Sequence, residues 1–317
     1  MPLTGKRCCV LHDGAAGNRR QALALAEALG VAVQEVTVHA RGPARWFAPR
    51  LWPGAENMLG PAFAAVLADP PPLAIGCGRQ AALATRLLSG GDTRVVQVLD
   101  PRLPPHHWDV VVAPEHDGLQ GDNVITLTGS LNPVDDAWLA AARTRFATLG
   151  ALPSPRTAVL VGGPTRAVRI DRGGLEVMLA RLEYALAREG GSVLLCGSPR
   201  TPRVLAAVLR ERMLEVPGAA WLDARDGENF YPGALAWADR IVVTPDSTNM
   251  ISEACATTVP VFIAGPERAT GRQQRLLAEL QARGRVRAQA REPVSFAVEP
   301  LRETARVADR VKTRLGG

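Results

Sequence analysis

Aromatic residues are scarce in this chain, at 4% of the total. Long apolar runs are missing too. No stretch approaches the ~18 consecutive apolar residues a membrane-crossing helix needs. The N-terminus MPLTGKRCCVLHDG carries basic residues, but its apolar run extends only from Cys8 to Leu11, too short for a signal-peptide core. The expected location is the cytoplasm. Cysteines number five, an odd count, with no metal-ligand spacing. Cys8, Cys9, Cys77, Cys196 and Cys255 therefore read as reduced core thiols. All five histidines (His12, His39, His106, His107 and His116) fall in the first half. That excludes a His-based metal site built wholly within the second half, and no metal site is expected anywhere.

What is present is ordinary for a globular protein: 47% hydrophobic and 21% charged residues. At 317 residues the chain is long enough for two domains. The formal net charge of +6 is unevenly placed. Residues 1–150 hold 13 basic and 13 acidic residues, whereas 268–314 hold 12 basic and 5 acidic. Such a basic segment fits nucleic acid, anionic lipid or a phosphorylated ligand, and equally a solvated helix face.

Short β-like runs alternate with helical patterns along the first half. RCCVL (7–11) leads through HDGAAGN into a helix ending at Gly30. VAVQEVTV (31–38), PLAIGC (72–77), TRVVQVLD (93–100), WDVVVA (108–113) and NVITLTG (123–129) are further strands. LGALPSPRT (149–157) reads as an interdomain linker. The pattern then restarts with TAVLVGG, SVLLCGS, AAWLDA, RIVVT and PVFIAG, with helices near 173–188, from 201 and from 247. The last 50 residues read as mainly helical. The expected fold is α/β: two doubly wound, Rossmann-like domains facing a cleft, residues 1–150 and 151–290, with a C-terminal helix over 291–317 packing back on the first domain.

Ligands of such sheets bind beyond the carboxyl ends of the strands, so the turns there carry the chemistry. HDGAAGN offers Gly14 and Gly17 for close backbone approach and a helix N-terminus for an anion. His12 and Asp13 stand where a general base is useful. The same segment is equally a glycine turn with Asn18 as helix cap. GCGRQA (76–81) has the G-x-G-x-x-A form, with Asp100 at the next strand's end, but follows the third strand rather than the first. A plain glycine turn, or Arg79 touching an acceptor phosphate, fits better. In the second half, GGPTR (162–166) is a diphosphate cradle or a common turn, and CGSPRT (196–201) ends the next strand in the same way.

TPDSTNMISEA (244–254) adds a third polar turn. Pro245 ends the strand, and Asp246 or Ser247 caps the helix, with Asp246 assigned mainly to capping. Asn249, Met250 and Glu253 share one face of that helix. From there the Glu253 carboxylate can accept two hydrogen bonds from a ribose diol, or it is an exposed helix residue, against which the neighbours Ala254, Cys255 and Ala256 point to burial.

These segments, with HDGAAGNRRQALALAEALG, VQVLDPRLPPHHWDVVVAPEHD and VLVGGPT, resemble the Elm-type mitochondrial-fission family and the donor-nucleotide motif of GT-B glycosyltransferases. The resemblance spans most of residues 10–265. It implies a nucleotide-sugar co-substrate in the C-terminal domain and no bound metal. Glu253 would hold the ribose, and Ser247 with the Gly162, Gly163 and Thr165 turn the diphosphate. Ser198, Arg200 and Thr201 would lie near the base. Gly14 and Gly17 match that family's first glycine turn, on the acceptor side with Arg79. By position alone in that half, Asp13 is the first candidate base, with His12 and Asp100 behind it.

ARWFAPRLWPGAENMLGPAF (44–63) mixes arginines with tryptophan, phenylalanine and leucine, a blend suited to a membrane interface and a lipid-linked acceptor, or to an insertion packing on its own domain. The expected function is thus metal-independent sugar transfer from a nucleotide-sugar, with no nucleic-acid partner. A non-catalytic scaffold of the same fold and a nucleotide-sugar epimerase stand as alternatives.

Overall fold

The computed structural model describes residues 3–42 and 44–316. The chain forms two compact units: Met1–Pro133 with Glu303–Gly317, and Val134–Arg302.

The first unit begins β1 (Arg7–His12), α1 (Ala16–Leu29), β2 (Ala32–Thr37), α2 (Ala44–Phe47) and α3 (Pro61–Ala68). It continues β3 (Leu73–Cys77), α4 (Arg79–Leu88), β4 (Arg94–Val98), β5 (Val110–Pro114) and β6 (Val124–Leu127). All strands pair in parallel, in the order β2-β1-β3-β4-β5-β6. Parallel strands covered on both faces must be apolar on both. Accordingly Cys9 and Leu11 join one buried cluster with Leu83 and Val111, while Cys8 and Val10 join another with Leu25 and Ile75. Gly30 stops α1 in the left-handed region at φ 71°, its N–H donating to Ala26 and Glu27 carbonyls.

The second unit runs α5 (Asp136–Arg145), β7 (Arg156–Leu160), α6 (Arg172–Glu189), β8 (Ser192–Cys196), α7 (Arg203–Arg212) and β9 (Gly218–Trp221). It ends with α8 (Tyr231–Trp237), β10 (Arg240–Val243), α9 (Thr248–Cys255), β11 (Val261–Ile263), α10 (Gly271–Ala282) and β12 (Val286–Ala288). Its sheet is also parallel, ordered β12-β11-β10-β7-β8-β9. The chain then returns to the first unit as α11 (Glu303–Arg314). Val307, Ala308 and Val311 of α11 bury themselves beside Leu25 and Leu29 of α1.

Two expectations are corrected. The segment 149–157 is not a link between units. Leu149 packs with Phe146 and Ala234, and the Ser192 hydroxyl donates to the Pro153 carbonyl, so α5 and this segment belong to the second unit. The units part at Pro133/Val134 and again at Arg302/Glu303. The last 50 residues are not mainly helical either. β12 pairs with β11, and 289–302 carries no helix or strand. Phe296 there sets its ring edge-on to Phe262, centroids 5.6 Å apart.

All five cysteines are buried and free. Burial pushes the Cys8, Cys9 and Cys255 thiols up to about 12. No helix among the described residues is long and apolar enough to cross a membrane.

Candidate functional site

In the second sheet β7 lies between β8 and β10, so the strand order reverses at β7 and β10. A switch point of this kind opens a crevice at the carboxyl edge. Three polar turns meet there, and hydrogen bonds lock them together. The Gly162 N–H donates to Thr244 Oγ1 at 2.9 Å, and the Gly163 N–H to Asp246 Oδ2 at 3.0 Å. Thr244 Oγ1 in turn donates to Asp246 Oδ1 at 2.6 Å. From the third turn, Arg200 donates to Asp246 Oδ2 at 2.9 Å. Thr201 Oγ1 accepts the Ser198 N–H and reaches the carbonyls of Val161 and Gly162. Thr165 Oγ1 closes its own turn by accepting the N–H groups of Ala167 and Val168.

The glycines follow from this packing. A Cβ on Gly162 would stand 2.0 Å from Asp246 Oδ2, and one on Gly163 2.0 Å from the Arg200 carbonyl oxygen. Only glycine lets the turns approach so closely. Asp246 is thereby corrected from helix cap to hub. Ser247 is the N-cap of α9, its hydroxyl accepting the Met250 N–H, while the Asp246 side chain is wholly buried against three turns. Arg200 keeps 45% of its side chain exposed, so it faces solvent at one end and the buried carboxylate at the other.

Helix α9 is fixed at both ends. Thr248 bonds Gln273 at its start. At its finish the buried Arg285 guanidinium donates to the carbonyls of Ala254, Cys255, Thr257 and Val259. A cation there also opposes the negative end of the helix dipole. Burial lowers the pKa of Arg285. Glu253 is 1% exposed and accepts a short hydrogen bond from the Tyr231 hydroxyl of α8. Asn249 is half-buried and Met250 buried. Beside this edge lies a small recess lined by Leu175, Met178, Thr244, Pro245, Ala264 and Arg268.

The first sheet reverses at β1 and β3. His12 is 1% exposed. Its Nδ1 accepts the Gly14 N–H at 3.0 Å, which assigns the proton to Nε2, 3.0 Å from Glu35 Oε1. Both ring nitrogens are thus engaged. Glu35 also takes a bidentate pair from Arg19, which with His12 holds its carboxyl below the usual range. Asp13 Oδ1 accepts from the Ala15 N–H and Asn18 Nδ2, while no hydrogen bond reaches its Oδ2 among the described residues. Asn18 lies against Gly78, where a Cβ would stand 2.5 Å from its Nδ2. Gly14 has φ 82°, and Gly17 lies within the first turn of α1. Arg79 is exposed and donates to the Arg45 carbonyl. Asp100 accepts the Arg102 N–H between two non-glycine residues of positive φ, Leu99 at 72° and Arg102 at 64°. Backbone strain of this kind gathers at functional edges.

Sequence reasoning placed the three second-unit turns at one edge but missed what joins them. Asp246 as hub, Tyr231 as partner of Glu253 and Arg285 as clamp depend on contacts across 22 to 83 residues of chain. No local pattern marks them. The nearest available signal was an acid directly after a strand-ending proline, Asp246 after Pro245.

Two parallel six-stranded α/β sheets with glycine turns at their carboxyl edges define a protein of GT-B-like fold. The family model described as Mitochondrial fission ELM1 matches residues 16–315, and the chain belongs to that family. The mitochondrial fission protein ELM1 of Arabidopsis thaliana is 30% identical over 277 residues, 78% of this chain and 64% of the plant protein's length. The chain therefore spans less than two-thirds of that relative. A Rickettsia prowazekii protein, RP120, is 22% identical over 292 residues, 78% of this chain and 80% of that protein. Among solved structures, the UDP-GlcNAc 2-epimerase of Methanocaldococcus jannaschii aligns with TM-score 0.55 at 14% identity, covering 98% of this chain and 100% of that one. The same enzyme in complex with UDP-GlcNAc and UDP aligns with TM-score 0.54 at 13% identity, covering 97% and 99%. At such identities the likeness establishes the fold.

Proposed function

We propose that the second unit binds a nucleotide-sugar at the carboxyl edge between β7 and β10, and that the protein transfers the sugar to an acceptor. The observation carrying this reading is the convergence of three polar turns, 162–165, 198–201 and 244–250, at a topological switch point. In this reading the diphosphate meets Arg200 and the Ser247 end of α9, where a helix N-terminus favours an anion. Gly162, Gly163, Thr165, Ser198 and Thr201 set the shape of that edge. Asn249 and Met250 line the α9 face. Glu253 takes the ribose diol, which requires it to share or exchange its bond with Tyr231.

On the first unit, Asp13 Oδ2 is the carboxylate oxygen offered to the acceptor hydroxyl. The acceptor oxygen attacks the anomeric carbon, its proton goes to Asp13, and the nucleoside diphosphate leaves. His12 needs to surrender a hydrogen bond before it serves as base, so it positions the turn. Asp100 is the second carboxylate. Gly14, Gly17 and Arg79 stand on the acceptor side, with a lipid-linked acceptor as the finer form of the proposal.

One observation favours a second reading, a scaffold of the same fold that binds no nucleotide-sugar. The Asp246 carboxylate already takes the Gly163 N–H and a guanidinium, and its charge opposes a diphosphate at that spot. A thermal-shift panel of UDP-, GDP-, ADP-, dTDP- and CMP-sugars separates the readings, because a ligand that binds only the folded state raises Tm. The donor reading expects a rise with one base and its loss in Arg200→Ala. No rise with any of them leaves the scaffold. Turnover of the bound sugar without an acceptor would identify epimerisation instead.

A further inference from the structure

We propose that the short helix and loop 44–52, with Arg41, form a docking surface for the headgroup region of an anionic lipid bilayer. Three of the large apolar side chains most exposed on the described residues, Trp46 (78%), Phe47 (56%) and Leu51 (46%), lie within six positions of one another. Scattered single exposures are common, but a clustered apolar tip marks an interaction site. The tip is held out rather than loose. Ala48 and Leu59 behind it are buried with Phe63 and Val66 of α3, and Trp52 packs against the same cluster. Arg79 and Arg86 of α4 donate to the carbonyls of Arg45 and Pro49.

The charge around the tip selects the occupant. Arg41, Arg45 and Arg50 are exposed, and residues 40–55 include no acidic side chain. None of the three has an ion pair among the described residues, although arginines elsewhere on the same unit (Arg7, Arg19, Arg94, Arg102) each meet a carboxylate. Unneutralised guanidinium groups flanking tryptophan and phenylalanine match a bilayer interface: rings at headgroup depth, cations on lipid phosphates. The segment follows β2 and touches the first turn of α4, at the carboxyl edge that also carries Asp13 and Gly78. Docking would bring that edge to the membrane surface. The inference stands apart from the donor reading, since it uses no residue of the second unit.

The test is flotation of the full-length protein with vesicles of phosphatidylcholine alone or mixed with phosphatidylglycerol. Binding is expected to the mixed vesicles and to weaken as salt is raised. Trp46→Ser with Phe47→Ser should lower partitioning at least tenfold. Arg45→Gln and Arg50→Gln should each lower it about fivefold, on mixed vesicles only. All these side chains are exposed, so Tm should not move, and a Tm check separates lost binding from lost folding. Failure of the wild type to float, or equal flotation of the Trp46/Phe47 variant, overturns the proposal. So does a wild-type dimer in sedimentation that the same variant converts to monomer, which would assign the tip to a second copy of the chain. None of these results depends on whether a nucleotide-sugar shifts Tm.

Discussion

The carboxyl edges of the two sheets share a topology and differ in finish. In the second unit the glycine turns are closed on one another around a buried carboxylate, and a Cβ on Gly162 or Gly163 would stand 2.0 Å from a neighbouring atom. In the first unit the corresponding edge is looser. A Cβ on Gly14 would meet only Thr37, at 3.6 Å, one on Gly78 would meet the end of the Asn18 side chain rather than backbone, Asp13 is half-exposed, and Arg79 is exposed. Glycine is thus a packing requirement at Gly162 and Gly163 and mainly a conformational one at Gly14.

The sharpest way to break that contrast is to add one methyl group to each edge. Gly163→Ala drives a Cβ into the Arg200 carbonyl, a backbone atom that cannot rotate aside, and should cost about 4 kcal/mol or prevent folding. Gly14→Ala meets only its positive φ and should cost about 1 kcal/mol. Urea unfolding of both variants measures the difference. Equal costs would dissolve the distinction.

Arg285→Met should cost about 3 kcal/mol, because four buried carbonyls at the end of α9 lose a charged donor. Unfolding by urea should show this loss with the m-value unchanged. A loss under 1 kcal/mol, on the order of one neutral hydrogen bond, would mean that α9 is held by packing alone.

Asp246→Asn keeps the volume but removes the charge facing Arg200. It should cost about 2 kcal/mol, reduced from a fully buried pair by the exposure of Arg200. Asp13→Asn should stay within about 0.5 kcal/mol, since its Oδ1 contacts survive. If the two aspartates behave alike, Asp246 is not the hub.

The smallest effect is at Glu35. Its folded pKa is depressed, first by Arg19 and then by His12, so its contribution exists above the unfolded value near ~4.3. That contribution is lost as pH falls through the folded value. Glu35→Gln should therefore lower Tm slightly at pH 7 and leave it unchanged in acid below the folded value. A Tm difference constant with pH would remove the ionic account of the His12–Glu35–Arg19 chain.

What the sequence made legible was local. Gly30 after a helical pattern gave the end of α1, and unbroken apolar runs such as LAIGC gave buried parallel strands. What it hid was long-range. Asp246 and Ser247 have nearly equal capping chemistry, and only the arrival of Gly163 and Arg200 from other strands separates hub from cap. The prolines at 153 and 155 look the same in a linker and in the lead-in to β7; burial of Phe146 and Leu149 decides between them. β12 escaped notice because three residues, VRA, carry no periodicity.

The central claim, that the second unit's edge holds a nucleotide-sugar, is tested most directly by amide hydrogen exchange of the full-length protein. Exchange would be followed with and without each nucleotide-sugar of the panel at saturating concentration. The account predicts that one of them slows exchange at 198–201 and 247–250, and that Arg200→Ala removes the protection. Protection confined to other segments, or none with any nucleotide-sugar, would contradict it.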